Sequence, residues 1–356
     1  MPFTHDSFYD AKRSYEENYD DGPFGDFAND DVFQMDGEPQ ESFLGLPVYA
    51  PFGIPAGPLP NAAFVEAAFK KGFDLPVYKT VRTRAHGCHP WPNVLAVHPD
   101  GDLTLDKAAG ELVADGDYRQ PLSITNSFGV PSKDPDEWQV DMRKAVESAG
   151  NGQVMIGSFQ GTNDGKGVQA FIDDYVLGAR LVKETGANIL EANLSCPNEG
   201  TANLLCFDTD RVVQIADAIK QEIGNTPLLL KLAFFQDDDH LNDYVKRVGK
   251  LVDGLVAINT IASSIIDKNG EQALPGEGRV RSGVCGASIL WAGLDMVKRL
   301  RTFRDSAGLD FKIVGTGGVT EAKDYERYRR AGADAVMSAT GAMWNPWLAR
   351  EVKEGI

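Results

Sequence analysis

The stretch EANLSCPNEG, Glu191 to Gly200, brings Asn193, Ser195, Cys196, Pro197 and Asn198 together where the strand-like NILEAN ends. Asn, Ser and Pro are turn formers, so the stretch alone leaves a turn and a functional site both open. Other polar residues stand in comparable places. Lys79 closes the run LPVYKTV, Asn259 closes GLVAIN, and Lys231 lies among the leucines of PLLLKLA. A lysine inside an apolar strand loses much hydration energy unless its ammonium finds a partner at the strand's end. Three small-residue turns, VGTGGVT (Val314–Thr320), SATGAM (Ser338–Met343) and GVCGAS (Gly283–Ser288), would let backbone N–H groups approach a phosphate.

These residues need a scaffold that points them at one place. From about Gly45 onward, short apolar runs alternate with amphipathic stretches, the pattern of a parallel sheet with crossover helices. Eight runs read as strands: PFGIPA, LPVYKTV, QVMIGSF, NILEAN, PLLLKLA, GLVAIN, FKIVGT and DAVMSA. Between them lie segments such as VQAFIDDYVLGARLVKETG and TDRVVQIADAIKQEIG, with helical apolar spacing and a terminal Gly. The expectation is an α/β (β/α)8 TIM barrel over residues 44–356, with an open doubly wound sheet as the alternative. In a barrel the active site lies at the C-terminal ends of the strands, where Lys79, Asn193 and Asn259 fall. The longest interruption, Arg84 to Asp136, is expected to be functional.

Residues 1–43 form an acidic N-terminal extension whose Tyr and Phe content suggests that it wraps onto the barrel. The formal charge of -17 makes nucleic acid and anionic lipid poor partners, and no apolar run is long enough to span a bilayer. A cytoplasmic protein is expected. Cys88, Cys196, Cys206 and Cys285 form no CxxC pair and have no matched His spacing, so neither a disulfide framework nor a metal site is expected.

With these motifs in place, residues 45–356 resemble the dihydroorotate dehydrogenase family, in its soluble, cysteine-dependent class. NLSCPN matches that family's active-site stretch, NSFGVP (Asn126–Pro131) resembles its substrate loop, and LLLKL, INT (Ile258–Thr260) and GIPAGP are similar to its flavin and substrate segments. The resemblance implies FMN as cofactor, Cys196 as the base, and dihydroorotate and orotate as substrate and product. It implies that Lys79, Asn126, Asn193, Asn198, Asn259 and Thr260 bind substrate. Cofactor contacts are implied for Ala56, Gly57, Lys79, Thr80, Asn193 and Lys231, with Gly286, Gly317, Gly318, Ala339 and Thr340 toward the phosphate. It further implies a homodimer that needs no quinone or membrane; the electron acceptor stays unidentified, with fumarate, a partner subunit and other acceptors all open.

The match has departures. The family's GNPxPR segment reads GCHPWPN (Gly87–Asn93) and lacks its arginine, and Ser132 stands where Asn is common. Cys88, Cys206 and Cys285 are expected to be packing or turn residues. Cys196–Leu205 is expected to act as a lid. Deleting the extension is expected to leave flavin reduction intact. Alternatives are an FMN-dependent reductase of another pyrimidine or enone, a flavin-free aldolase with a Schiff base on Lys231, and a binding protein on a degenerate barrel.

Overall fold

Each of the eight expected strands forms, because each is a short apolar run that can be buried on both faces. They are β1 (Phe52–Gly53), β2 (Val77–Val81), β3 (Ile156–Phe159), β4 (Ile189–Asn193), β5 (Leu228–Leu232), β6 (Gly254–Ala257), β7 (Lys312–Thr316) and β8 (Ala335–Met337). The computed structural model describes residues 5–195 and 204–355. All ladders in this sheet are parallel, in the order β1-β8-β7-β6-β5-β4-β3-β2. Between β2 and β1 the N–H of Val77 donates to the carbonyl of Ile54 at 2.8 Å, and that of Leu75 to Phe52 at 3.1 Å. These bonds close the ring, so the structure is a (β/α)8 barrel and not an open sheet.

Helices α1 (Ala62–Lys70), α2 (Pro135–Glu147), α3 (Val168–Lys183), α4 (Thr209–Ile223), α5 (Asp238–Val248), α6 (Leu290–Ser306), α7 (Ala322–Ala331) and α8 (Leu348–Glu354) follow the strands in turn. Their starts are written locally. Asn61, Asp134, Asp208 and Asp237 each accept a hydrogen bond from a first-turn N–H of α1, α2, α4 and α5.

Side chains alternate across a strand, so every second residue enters the barrel. Val77, Ile156, Ile189, Leu229, Val256, Val314 and Met337 make one inward cluster. The hairpin Glu41–Phe43/Leu46–Val48 plugs its N-terminal mouth with Phe43 and Val48. Two residues further along the strands, the inward positions become Lys79, Ser158, Glu191 and Lys231. Polarity thus changes one layer below the C-terminal face.

The interruption after β2 is not a loop. It contributes the strands Val94–Val97, Glu111–Asp115 and Ser123–Asn126 to a second, five-stranded closed sheet. Ile261–Ile266 and Arg281–Gly286, inserted after β6, complete it. GVCG, expected as a turn, is therefore mostly strand, and only its end at Gly286 turns, with φ 98°. The extension packs closely from Phe8 to Phe27. Phe8 N–H donates to the Met343 carbonyl at 3.0 Å, and the Phe8 ring sits 4.3 Å from that of Phe27.

Candidate active site

One cavity of about 1210 Å³, open mouth included, lies over the C-terminal face of the barrel. Its lining includes Ala56, Gly57, Lys79, Thr80, Asn126, Asn193, Lys231, Asn259, Thr260, Gly286, Gly317, Gly318, Ala339 and Thr340. The described residues singled out in the sequence are thus brought together. Cys196 and Asn198, and the expected lid through residue 203, lie outside the described residues.

Lys79 and Thr80 are consecutive, yet both reach the cavity. A register shift in the β2–β3 ladder between Tyr78 and Val81 breaks the alternation there. Thr80 Oγ1 lies 3.0 Å from Ser158 Oγ, which in turn donates to Glu191 Oε1 at 3.1 Å. Lys231 is 5% exposed, and its ammonium donates to the Ala56 carbonyl at 3.3 Å, on the turn GIPAGP. This is a partner of the kind a lysine in an apolar strand requires.

Glu191 was not among the sequence candidates. It is fully buried, and its Oε2 has no hydrogen-bond partner among the described residues. Burial pushes its carboxyl above the usual range, while the charge of Lys231 and the bond from Ser158 pull it back. Its spacing of two residues from Asn193 on β4 was the available signal.

The asparagines are held in defined orientations. Asn193 Nδ2 donates to Gln160 Oε1 at 2.8 Å, and its Oδ1 accepts from Ser195 N–H at 3.3 Å. Asn259 Nδ2 donates to the Ser195 carbonyl at 3.0 Å. Asn126 ends a strand of the second sheet, with Nδ2 3.6 Å from Cys285 Sγ.

Cys285 lines the cavity and also receives a hydrogen bond from Thr340 Oγ1 at 3.4 Å, so it is not simply a packing residue. Burial raises its thiol pKa, and pushes those of Cys88 and Cys206 up to about 12. None of these three is set up as a ready thiolate. Cys206 is fully buried in the core, as expected of a packing cysteine.

The loop that lacks the family's arginine has another cation. Arg279, 3% exposed, donates to the carbonyls of Pro90 at 2.7 Å, Pro92 at 3.1 Å and Ser127 at 3.0 Å. It ties GCHPWPN to NSFGVP from the insertion after β6. The extension does not stand apart from the site, since Tyr9 and Tyr15 line the same cavity.

The glycine turns fit a phosphate-bearing ligand. Gly286, Gly317 and Gly318 have φ of 98°, 112° and 78°. A Cβ on Gly286 would meet the Leu122 carbonyl oxygen at 2.4 Å, and one on Gly318 the Leu290 N at 2.4 Å. Only glycine serves at such positions, and it leaves the cavity wall there as bare backbone.

Residues 117–356 match the family model for dihydroorotate dehydrogenase. A dihydroorotate dehydrogenase of Dictyostelium discoideum is 35% identical over 96% of this chain and 95% of its own length. The chain belongs to the dihydroorotate dehydrogenase family. A quinone-type dihydroorotate dehydrogenase of Bordetella avium is 26% identical over 85% of this chain and 80% of its own. A solved Eimeria tenella dihydroorotate dehydrogenase in complex with ferulenol superposes with a TM-score of 0.66 over 87% of this chain and 81% of its own, at 22% identity. That likeness concerns the fold. As a dihydroorotate dehydrogenase family member the chain is an oxidoreductase. Among its described residues, no helix is long and apolar enough to cross a membrane.

Proposed function

We propose that this chain oxidises dihydroorotate to orotate with FMN bound in the cavity and Cys196 as the base. The observation that carries this reading is the convergence of Lys79, Asn126, Asn193, Lys231 and Asn259 with the glycine turns around one cavity. Bound FMN would supply, at its N5, the hydride acceptor that no side chain can provide. Cys196 takes the proton from C5 as the hydride leaves C6, so two hydrogens and two electrons depart and the C5–C6 double bond forms. Asn126, Asn193, Asn198 and Asn259 orient the ring, because each amide offers both donor and acceptor to a pyrimidine edge. Thr260 completes the substrate side. Lys79 would supply positive charge near substrate and cofactor, and Lys231 near the cofactor, where it would stabilise the negative charge that reduction adds. Ala56, Gly57 and Thr80 would bound the ring system, and Gly286, Gly317, Gly318, Ala339 and Thr340 would hold the phosphate.

The anchoring of the Lys231 ammonium to Ala56, with the Glu191 carboxylate near it, supports a fixed charge there over a free amine for Schiff-base chemistry. NLSCPN supports the soluble class for the chain. On this basis it acts in the cytoplasm as a homodimer, with fumarate or a partner subunit as electron acceptor.

The test is anaerobic stopped-flow bleaching of the bound flavin by dihydroorotate. Cys196→Ser should keep FMN and orotate binding yet slow bleaching by roughly 10²- to 10⁴-fold, the usual worth of a positioned base. Cys196→Ala should be at least as slow. Bleaching at the wild-type rate in Cys196→Ala would remove Cys196 from the mechanism.

A further inference from the structure

Tyr9 is 4% exposed and lines the cavity, and its hydroxyl has no hydrogen-bond partner among the described residues. A buried hydroxyl without a partner is costly, and natural proteins keep few of them. This one is held in place deliberately. The Tyr9 ring packs edge-on against Phe128 at 5.8 Å, and Tyr15 packs on the same ring at 6.0 Å. Asn18 fastens the intervening turn, accepting from Asp10 N–H at 2.8 Å and donating to the Asp10 carbonyl at 2.9 Å. Ser14 and Glu17 cap the helix Tyr15–Asp21 reciprocally. On the other side, Phe8 is bonded to Met343, another residue of the cavity wall.

We propose that Tyr9 is a substrate-binding residue whose hydroxyl donates a hydrogen bond to a carboxylate or ring-carbonyl oxygen of the bound pyrimidine. The inference rests on the dihydroorotate reading above. Substrate is favoured over cofactor by position. Phe128 belongs to the NSFGVP segment that carries Asn126, whereas the glycine turns that fit a phosphate follow β7 and end the insertion after β6. Burial raises the phenol's pKa well above its ordinary value, so the group remains an O–H donor across any assay pH. Substrate binding then supplies the acceptor that the free protein lacks, and the extension becomes part of the specificity of the site.

Tyr9→Phe in the full-length, FMN-loaded protein separates this role from simple packing. Orotate affinity, followed by the change in flavin absorbance, should fall by about 5- to 50-fold, the range for losing one hydrogen bond to a polar or charged acceptor. Flavin content should stay the same. The thermal midpoint of the orotate-free protein should stay level or rise, because a buried unpaired hydroxyl has gone. Uracil serves as a second probe: weakening of both ligands places the bond at a ring carbonyl, and weakening of orotate alone places it at the carboxylate. An orotate affinity within twofold of wild type overturns the inference. So does a weaker affinity accompanied by a lower orotate-free midpoint, which would mark a wall residue only. Wild-type protein that dihydroorotate does not bleach would sink the functional reading and this inference together, whereas bleaching with an unaffected Tyr9→Phe sinks this one alone.

Discussion

Replacing Lys231 by Met removes the cation that offsets a buried carboxylate. Glu191 is fully buried, bonded through Oε1 to Ser158, and, among the described residues, unpartnered at Oε2. Leaving a buried carboxylate without the cation that acts on it costs up to about 3–5 kcal/mol while the carboxylate stays ionised. With an unfolding entropy near 2.1 cal/mol/K per residue, the chain carries about 0.75 kcal/mol/K, so the midpoint should fall by roughly 4–7 °C. Removing both charges in Lys231→Met/Glu191→Gln should recover at least about 1.5 kcal/mol relative to the sum of the single variants. The sign with pH follows from the raised carboxyl of Glu191. Its contribution to stability is fully present below the ordinary glutamate value near ~4.3 and is lost as pH rises through the raised one. Without Lys231 that value moves further up. The deficit of Lys231→Met against wild type should therefore grow as pH rises above the ordinary glutamate range. Thermal denaturation of protein freed of flavin, so that ligand binding adds nothing, measures it. Single-variant effects that add to within about 0.5 kcal/mol, or a deficit independent of pH, would refute the coupling.

Gly318→Ala should cost about 2–5 kcal/mol, from the left-handed φ of 78° together with overlap on the Leu290 backbone, and should lower the ratio of flavin to protein. Gly165→Ala is its control, since φ is 77° there but a Cβ would meet nothing within 4 Å, so only the conformational part should appear in the midpoint. At the opposite end of the barrel, Lys353 on α8 pairs with Asp74 at 2.6 Å, with side-chain exposures of 4% and 0%. Burial pushes the Asp74 carboxyl up to about 6 despite that pair, so its contribution is present below the ordinary aspartate range and lost as pH rises through about 6. Lys353→Met should raise that value further, giving a loss of several degrees in midpoint at pH 8 and a much smaller one at pH 5.

The barrel was legible because its strands are apolar runs of a length that only buried strands adopt, and β5, with the residues Leu228 to Leu232, is the clearest case. The second sheet was not legible. Glu111–Asp115 is largely exposed, and Val94–Val97 has only four residues, so neither carries a strong period of its own; they become strands by pairing with Ser123–Asn126 and Ile261–Ile266. Lys79, Asn193, Lys231 and Asn259 could be found because each is a polar residue at or in an apolar run. Glu191 escaped because the inward face of β4 is defined only once the ring closes. Tyr9 escaped because the aromatic content of the extension gives its tendency to pack but not which ring meets the cavity. That depends on Asn18 and Met343 in the folded chain.

The order of inward residues along the strands explains why chemistry is confined to one end. At the level of Val77, Ile156, Ile189 and Leu229 the barrel is a dry plug, stoppered from below by Phe43 and Val48. One step higher, Lys79, Ser158, Glu191 and Lys231 are buried as well, and among the described residues Glu191 keeps an oxygen without a partner. A polar layer of this kind is tolerable only if it is fully paired or if something arrives to complete it. The second sheet lies above, bringing Asn126, Cys285 and Gly286 to the same cavity, and the extension adds Tyr9 with its own unpaired hydroxyl. Glu191 lies beneath the cavity wall, whereas Tyr9 lines the cavity itself. On the Tyr9 side the arrangement is the one expected of a site whose hydrogen bonding is completed by its ligand, and it places the specificity of the site as much in the insertions and the extension as in the barrel that supports them.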